Sequence, residues 1–153
     1  MANTRMTEDW RVGAVDYLQT RLPELRAVYL FGSRARGNES QLHPGSDYDF
    51  AFRQNPTARL SNLERFDLAV DLSIAIECGP LDLIDLTPPG EHELKLQVID
   101  GDLLWTQDAQ ENLAWEIKAT TMAFDFRISE RPLREAKLAT FRSYVQRDTP
   151  PQS

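Results

Sequence analysis

Two short segments, Leu30-Phe31-Gly32-Ser33-Arg34-Ala35-Arg36-Gly37 and Ser46-Asp47-Tyr48-Asp49, say more about this chain than the rest of it. Ala27 to Phe31 is an apolar run rich in strand formers, and it stops at Gly32. Ser33 to Gly37 is too short and too charged for another strand, so one helical turn is expected, leading into a polar loop through Gly45. A strand that ends in Gly-Ser and opens a helical turn offers backbone N–H groups to a phosphate. Gly32 lets the phosphate approach closely, Ser33 adds a hydroxyl, and Arg34 and Arg36 bring positive charge.

The second segment opens a strand over residues 47–52. Tyr48, Phe50 and Phe52 fall on one face, and Asp47, Asp49 and Ala51 on the other. Two carboxylates on one strand face must be solvated, paired or metal-bound. Alternate Asp residues suit a pair of divalent cations, because Mg²⁺ takes oxygen from one or two carboxylates together with substrate phosphates. Two such ions stabilise the entering and leaving oxygens of an in-line displacement. A third carboxylate on a neighbouring strand completes such a site. Asp82 and Asp85, on the apolar run Leu81 to Leu86, face opposite sides of their strand, and spacing does not choose between them.

Outward from this centre, Thr7 is placed to cap a first helix, with Trp10, Ala14, Val15, Leu18 and Leu22 on one face. Leu60, Leu63, Val70 and Ile74 predict a helix across residues 59–76, broken by Gly79-Pro80. Residues 91–100 read as helix and Leu103-Leu104-Trp105 as a last strand. From about Ala109 to Gln146 the period is helical. Leu113, Ile117, Met122 and Phe126 mark one stripe and Leu133, Leu138 and Phe141 another, with Pro132 expected in the first turn of a separate last helix. The aromatic stripe of Trp115, Met122, Phe124 and Phe126 reads as core, part of it as a partner surface. The expected fold class is α+β, of α/β type: a small mixed sheet flanked by helices, with C-terminal helices. One domain is expected over residues 1–147, and a disordered tail over 148–153.

The composition is that of a folded globular chain: 153 residues, 41% hydrophobic and 27% charged. Seventeen basic against 24 acidic residues give a net charge of −7, which argues against direct nucleic-acid binding and is compatible with a basic protein partner. The one cysteine, Cys78, excludes an intrachain disulfide and a cysteine-based zinc site, and makes the cytoplasm the simplest compartment. The polar N-terminus shows no secretory signal, and no apolar run is long enough to span a bilayer.

Gly32-Ser33-x-Ala35-Arg36-Gly37, with Ser46-Asp47-x-Asp49 and then Leu81-Asp82-Leu83, resembles the nucleotidyltransferase superfamily that includes DNA polymerase β. In its short form the chain is similar to the minimal nucleotidyltransferases, the MntA-like antitoxins of HEPN–MNT toxin–antitoxin modules. The resemblance implies a nucleotidyltransferase fold. It implies that Gly32 and Ser33 hold the nucleoside triphosphate with Ser46 close by, that Asp47 and Asp49 bind Mg²⁺ or Mn²⁺, and that Asp82 is the third carboxylate. Arg36 is expected as a phosphate or partner contact. The implied reaction is transfer of AMP from ATP to a tyrosine hydroxyl of a cognate HEPN toxin, an RNase that the modification silences. Two rivals stand beside it: a nucleotidyltransferase acting on a small molecule such as an aminoglycoside, and an antitoxin that only blocks its toxin sterically. The Arg36-to-His43 spacing imitates the RNase motif of HEPN toxins, but it falls in a loop between strands and not on a helix.

Overall fold

A computed structural model of the chain describes residues 3–36 and 45–147. Helix α1 (Asn3–Arg21) leads into strand β1 (Leu25–Phe31), which ends in a 3₁₀ turn (Gly32–Arg34). Strand β2 (Tyr48–Gln54), helix α2 (Asn62–Ala75), strand β3 (Leu81–Asp85), helix α3 (His92–Ile99), strand β4 (Asp102–Thr106) and helix α4 (Ala109–Arg147) follow. The sheet order is β3-β2-β1-β4; β1 runs antiparallel to β2 and β4, and β2 runs parallel to β3. This is the expected small mixed sheet flanked by helices.

The alternation along β2 sets the two layers. Phe50 and Phe52 point into one core, with Val28, Leu30 and Leu83 of the sheet, Ala14, Leu18 and Leu22 near α1, and Leu68 and Leu72 of α2. Ala51 points into the other, with Tyr29, Phe31, Leu86 and Val98, and Trp115 of α4 packs against it. Strand β1 is central and covered on both faces, which is why its sequence is a continuous apolar run. The α1 face predicted from Ala14, Val15, Leu18 and Leu22 is the buried one.

Four expectations are corrected. Helix α1 starts at Asn3, so Thr7 lies inside it and is not its cap. Helix α2, expected over residues 59–76, spans Asn62–Ala75; it buries Leu68 and Leu72, while Leu63, Val70 and Ile74, which marked its period, face solvent. Apolar residues lie on both sides of this helix, so the helical period fits either face. Residues 109–147 form one helix that runs through Pro132. The hydrogen bond that proline cannot make falls on an exposed stretch, beside Ile128 and Leu133, where water can take its place. Of the aromatic stripe read as core, Trp115 packs against the sheet while Met122, Phe124 and Phe126 are exposed; Leu113, Ile117, Leu133, Leu138 and Phe141, which marked the period, are exposed too, and the buried residues of α4 are Asn112, Ala119 and Ala123. Among the described residues no helix is long and apolar enough to cross a membrane. The tail over 148–153 lies outside the described residues.

Candidate active site

The C-terminal end of β1 and the starts of β2 and β3 meet at one end of the sheet. Gly32 takes φ +74°, and a Cβ built on it would overlap Oδ2 of Asp49. Backbone conformation and space both require glycine there. The amide of Ala35 donates to the carbonyl of Gly32 at 3.2 Å and closes the turn.

Arg34 is a tie. Its Nε and Nη2 donate to the carbonyl of Ser46 at 3.3 and 3.0 Å, its guanidinium lies 3.8 Å from the centre of the Tyr48 ring, and its own carbonyl accepts from Arg11 at 3.3 Å. The turn is thereby fastened to the entry of β2, and Ser46 is buried beside it. Arg36 is exposed, with its backbone N–H donating to Oδ2 of Asp102 at 2.8 Å. Gly37 and His43 lie outside the described residues.

Asp49 and Asp82 are direct partners in the parallel register of β2 and β3. Residues of one strand alternate between faces, so Asp85, across from Phe52, turns the other way, and its Oδ1 accepts from the amide of Thr87 at 2.9 Å. The structure thus brings together Asp82 and Asp49, and it gives Asp85 a turn to hold. Burial, then the negative charges of Asp82 and Asp47, push the Asp49 carboxyl above its ordinary value. Asp47 is exposed just before β2. Among the described residues no three acidic, histidine or cysteine side chains close into a ready set of ligands; the three carboxylates are near enough to repel. An all-oxygen donor set with surplus negative charge suits a hard divalent cation.

Cys78 stays out of this chemistry: burial pushes its thiol up, and Sγ donates to the carbonyl of Gly79 at 3.4 Å. His92 is half-buried with its ring 4.8 Å from that of Phe126. The sequence reading missed a polar cluster that holds α4 on the sheet. Arg53 donates to both oxygens of Glu111 at 2.7 and 2.6 Å and to Oδ1 of Asn112 at 2.9 Å. Asn112 donates to the Tyr29 hydroxyl at 2.8 Å, which donates to Glu116 at 2.7 Å. An arginine inside a strand and an asparagine on an inward helix face were its available signals.

Residues 14–110 match the family model for the polymerase beta nucleotidyltransferases. The protein adenylyltransferase MntA of Shewanella oneidensis is 31% identical over 108 residues, 71% of this chain and 73% of the relative. A crystal structure of a toxin–antitoxin with AMP-PNP superposes with a TM-score of 0.71 at 25% identity, covering 84% of this chain and 98% of that one. A crystal structure of a mutant toxin–antitoxin MntA–HpeT gives 0.68 at 26% identity over the same shares.

Proposed function

The chain belongs to the polymerase beta nucleotidyltransferase family, and on that premise we propose that it is an antitoxin that transfers AMP from ATP to a tyrosine hydroxyl of a HEPN-family toxin and so silences the toxin's RNase activity. The relative's activity as a protein adenylyltransferase supports the reaction, and the toxin–antitoxin with AMP-PNP supports ATP as the nucleotide. One observation carries the reading to this chain: Asp49 and Asp82 stand in register beside a Gly32–Ser33 turn that only glycine can make.

Gly32 lets the triphosphate lie against the backbone, Ser33 donates to it, and Ser46 and Arg36 flank it. Asp47, Asp49 and Asp82 are the residues that would hold Mg²⁺, with Mn²⁺ a substitute. When bound, the cation supplies positive charge to the oxygens entering and leaving phosphorus. The acceptor oxygen bonds to the α-phosphorus, the bond to the β-phosphate oxygen breaks, and pyrophosphate leaves on the opposite side. Asp82, on the outermost of the three elements, takes the proton of the acceptor hydroxyl. The rest of catalysis is positioning and charge. ATP as substrate and an RNase as target support a cytoplasmic setting.

Intact mass spectrometry of a HEPN-family toxin after incubation with the protein, ATP and Mg²⁺ tests this. Mass steps of AMP are expected, and none with Asp47→Asn. A toxin that is neutralised without a mass change would overturn transfer in favour of steric block.

A further inference from the structure

At the end of the sheet remote from Asp49 and Asp82 lies a pocket of about 280 Å³. The loops after β2 and β3 and the helices α3 and α4 each supply part of its wall. Leu86, Trp115, Ala119 and Met122 make that wall apolar, and Arg59, Lys95 and Lys118 make it positive. Among the described residues no carboxylate lines it, in a chain whose net charge is −7. Leu86 stands four residues beyond Asp82, about 13 Å at strand spacing, so the pocket is separate from the carboxylate site.

Lys95 is its unusual member. The residue is buried, and its Nζ donates to the carbonyl of Pro88 at 2.9 Å. An ammonium group has three protons to donate. Among the described residues no carboxylate comes within ion-pair distance of Lys95, Lys118 or Arg59. Burial lowers the Lys95 pKa, and Glu91 and Asp85 oppose that from beyond ion-pair distance. A buried cation without a counter-ion is costly, and an anion from outside would supply one.

We propose that this pocket binds a small organic anion, with a flat apolar body against Trp115 and Met122 and one carboxylate or phosphate group held by Lys95 and Lys118. The inference does not depend on the adenylyltransferase reading.

The wall is built in advance. The Trp115 ring is fixed by the Tyr29 ring at 6.3 Å and the Arg53 guanidinium at 5.1 Å, so it offers a rigid plane. The Thr87 hydroxyl, also in the lining, accepts from the amide of Gln54 at 2.9 Å and keeps its own proton for a ligand. The volume is at the lower end of small-molecule pockets, roughly 300–1,000 Å³. A bare inorganic anion would leave the apolar wall against water, and an uncharged apolar guest would leave Lys95 unpaired. A guest with both parts satisfies both.

The test follows the indole N–H signals of the protein by NMR while 1-naphthoate or 1-naphthyl phosphate is added. Trp115→Phe assigns the signal of interest. Either probe should shift the Trp115 signal saturably, and the tighter of the two names the anionic group. Inorganic phosphate alone and 1-naphthylmethanol should each bind about tenfold more weakly or worse, because each lacks one part. Lys95→Gln and Lys118→Gln should weaken the better probe by a similar factor. Lys118 is exposed, so its variant tests the charge without disturbing packing. Lys137→Gln, exposed on α4 away from the pocket, should bind as wild type. Trp10, whose ring stands 5.2 Å from that of Tyr48 near the Gly32–Ser33 turn, should not move. A Trp115 signal that stays still, or that 1-naphthylmethanol shifts equally well, would overturn the proposal. So would undiminished binding by both lysine variants, or a shift of Trp10 in place of Trp115, which would put the probe at the carboxylate site.

Discussion

At the scale of single residues, the site is built from what would otherwise be faults. Gly32 carries a positive φ against a carboxylate, and Asp49 is a half-buried acid pressed by two others. Gly32→Ala puts a methyl group where Asp49 Oδ2 stands, so the turn or the carboxylate must shift. Transfer should fall by about tenfold or more, since small displacements of catalytic groups cost that much, while the circular dichroism spectrum stays native. Asp49→Asn should separate stability from function. A carboxyl whose folded pKa is raised destabilises the fold when ionised, at neutral pH. Removing its charge should therefore raise the melting temperature in EDTA and abolish transfer; a lower melting temperature would show that the repulsion is not real. The choice between Asp82 and Asp85 also belongs here. Strand parity separates the two in the sequence, but which of them meets Asp49 depends on the register of β2 against β3, a pairing of residues more than thirty positions apart. The family resemblance implied Asp82, and the register sets Asp82, not Asp85, beside Asp49.

At the scale of elements, legibility follows from how many faces an element buries. Strands β1 and β2 were plain because both bury apolar side chains, one as a continuous run and the other by alternation. Helix α2 was legible as a helix but not in its facing, because its outward stripe is as apolar as its inward one, and a period does not say which side the sheet is on. Helix α4 was misread because polar groups anchor it: Glu111, Asn112 and Glu116 reach Arg53 and Tyr29. That anchor should be visible in stability. Arg53 is buried, so Glu111→Gln leaves a charge without its partner and should cost about 1–3 kcal/mol in chemical denaturation. Asn112→Ala strips partners from both Arg53 and Tyr29 and should cost as much. The pH dependence has a definite sign. Hydrogen bonds from Arg53 hold the Glu111 carboxyl below its ordinary value. Its share of stability is present above the unfolded value, near 4.5, and is lost as pH falls through the depressed folded one. The Glu111→Gln difference in unfolding free energy should shrink on acidification below that point and stay flat from there to neutrality.

At the scale of the whole molecule, burial and function divide the chain unevenly. Both cores lie between the sheet and the segments from α1 to the first half of α4. Every described side chain from Arg131 to Gln146 is exposed. Its ion pairs, Arg131 to Glu135 and Arg134 to Glu130, are helical ones four residues apart, which are worth a few tenths of a kcal/mol in water. Hydrophobic stabilisation scales with the apolar area removed from water, and this stretch removes almost none. A chain ending at Glu130 should therefore melt within about 2 °C of the full protein, since 1 kcal/mol moves a domain of this size by about 2–4 °C. It should also retain its KM for ATP, because no residue assigned to the nucleotide lies beyond Asp82. Calorimetry and single-turnover kinetics on the shortened chain check both. A melting temperature lower by 10 °C would mean that the second half of α4 packs on the domain after all. An ATP KM that changed at constant melting temperature would place part of the nucleotide site on that helix.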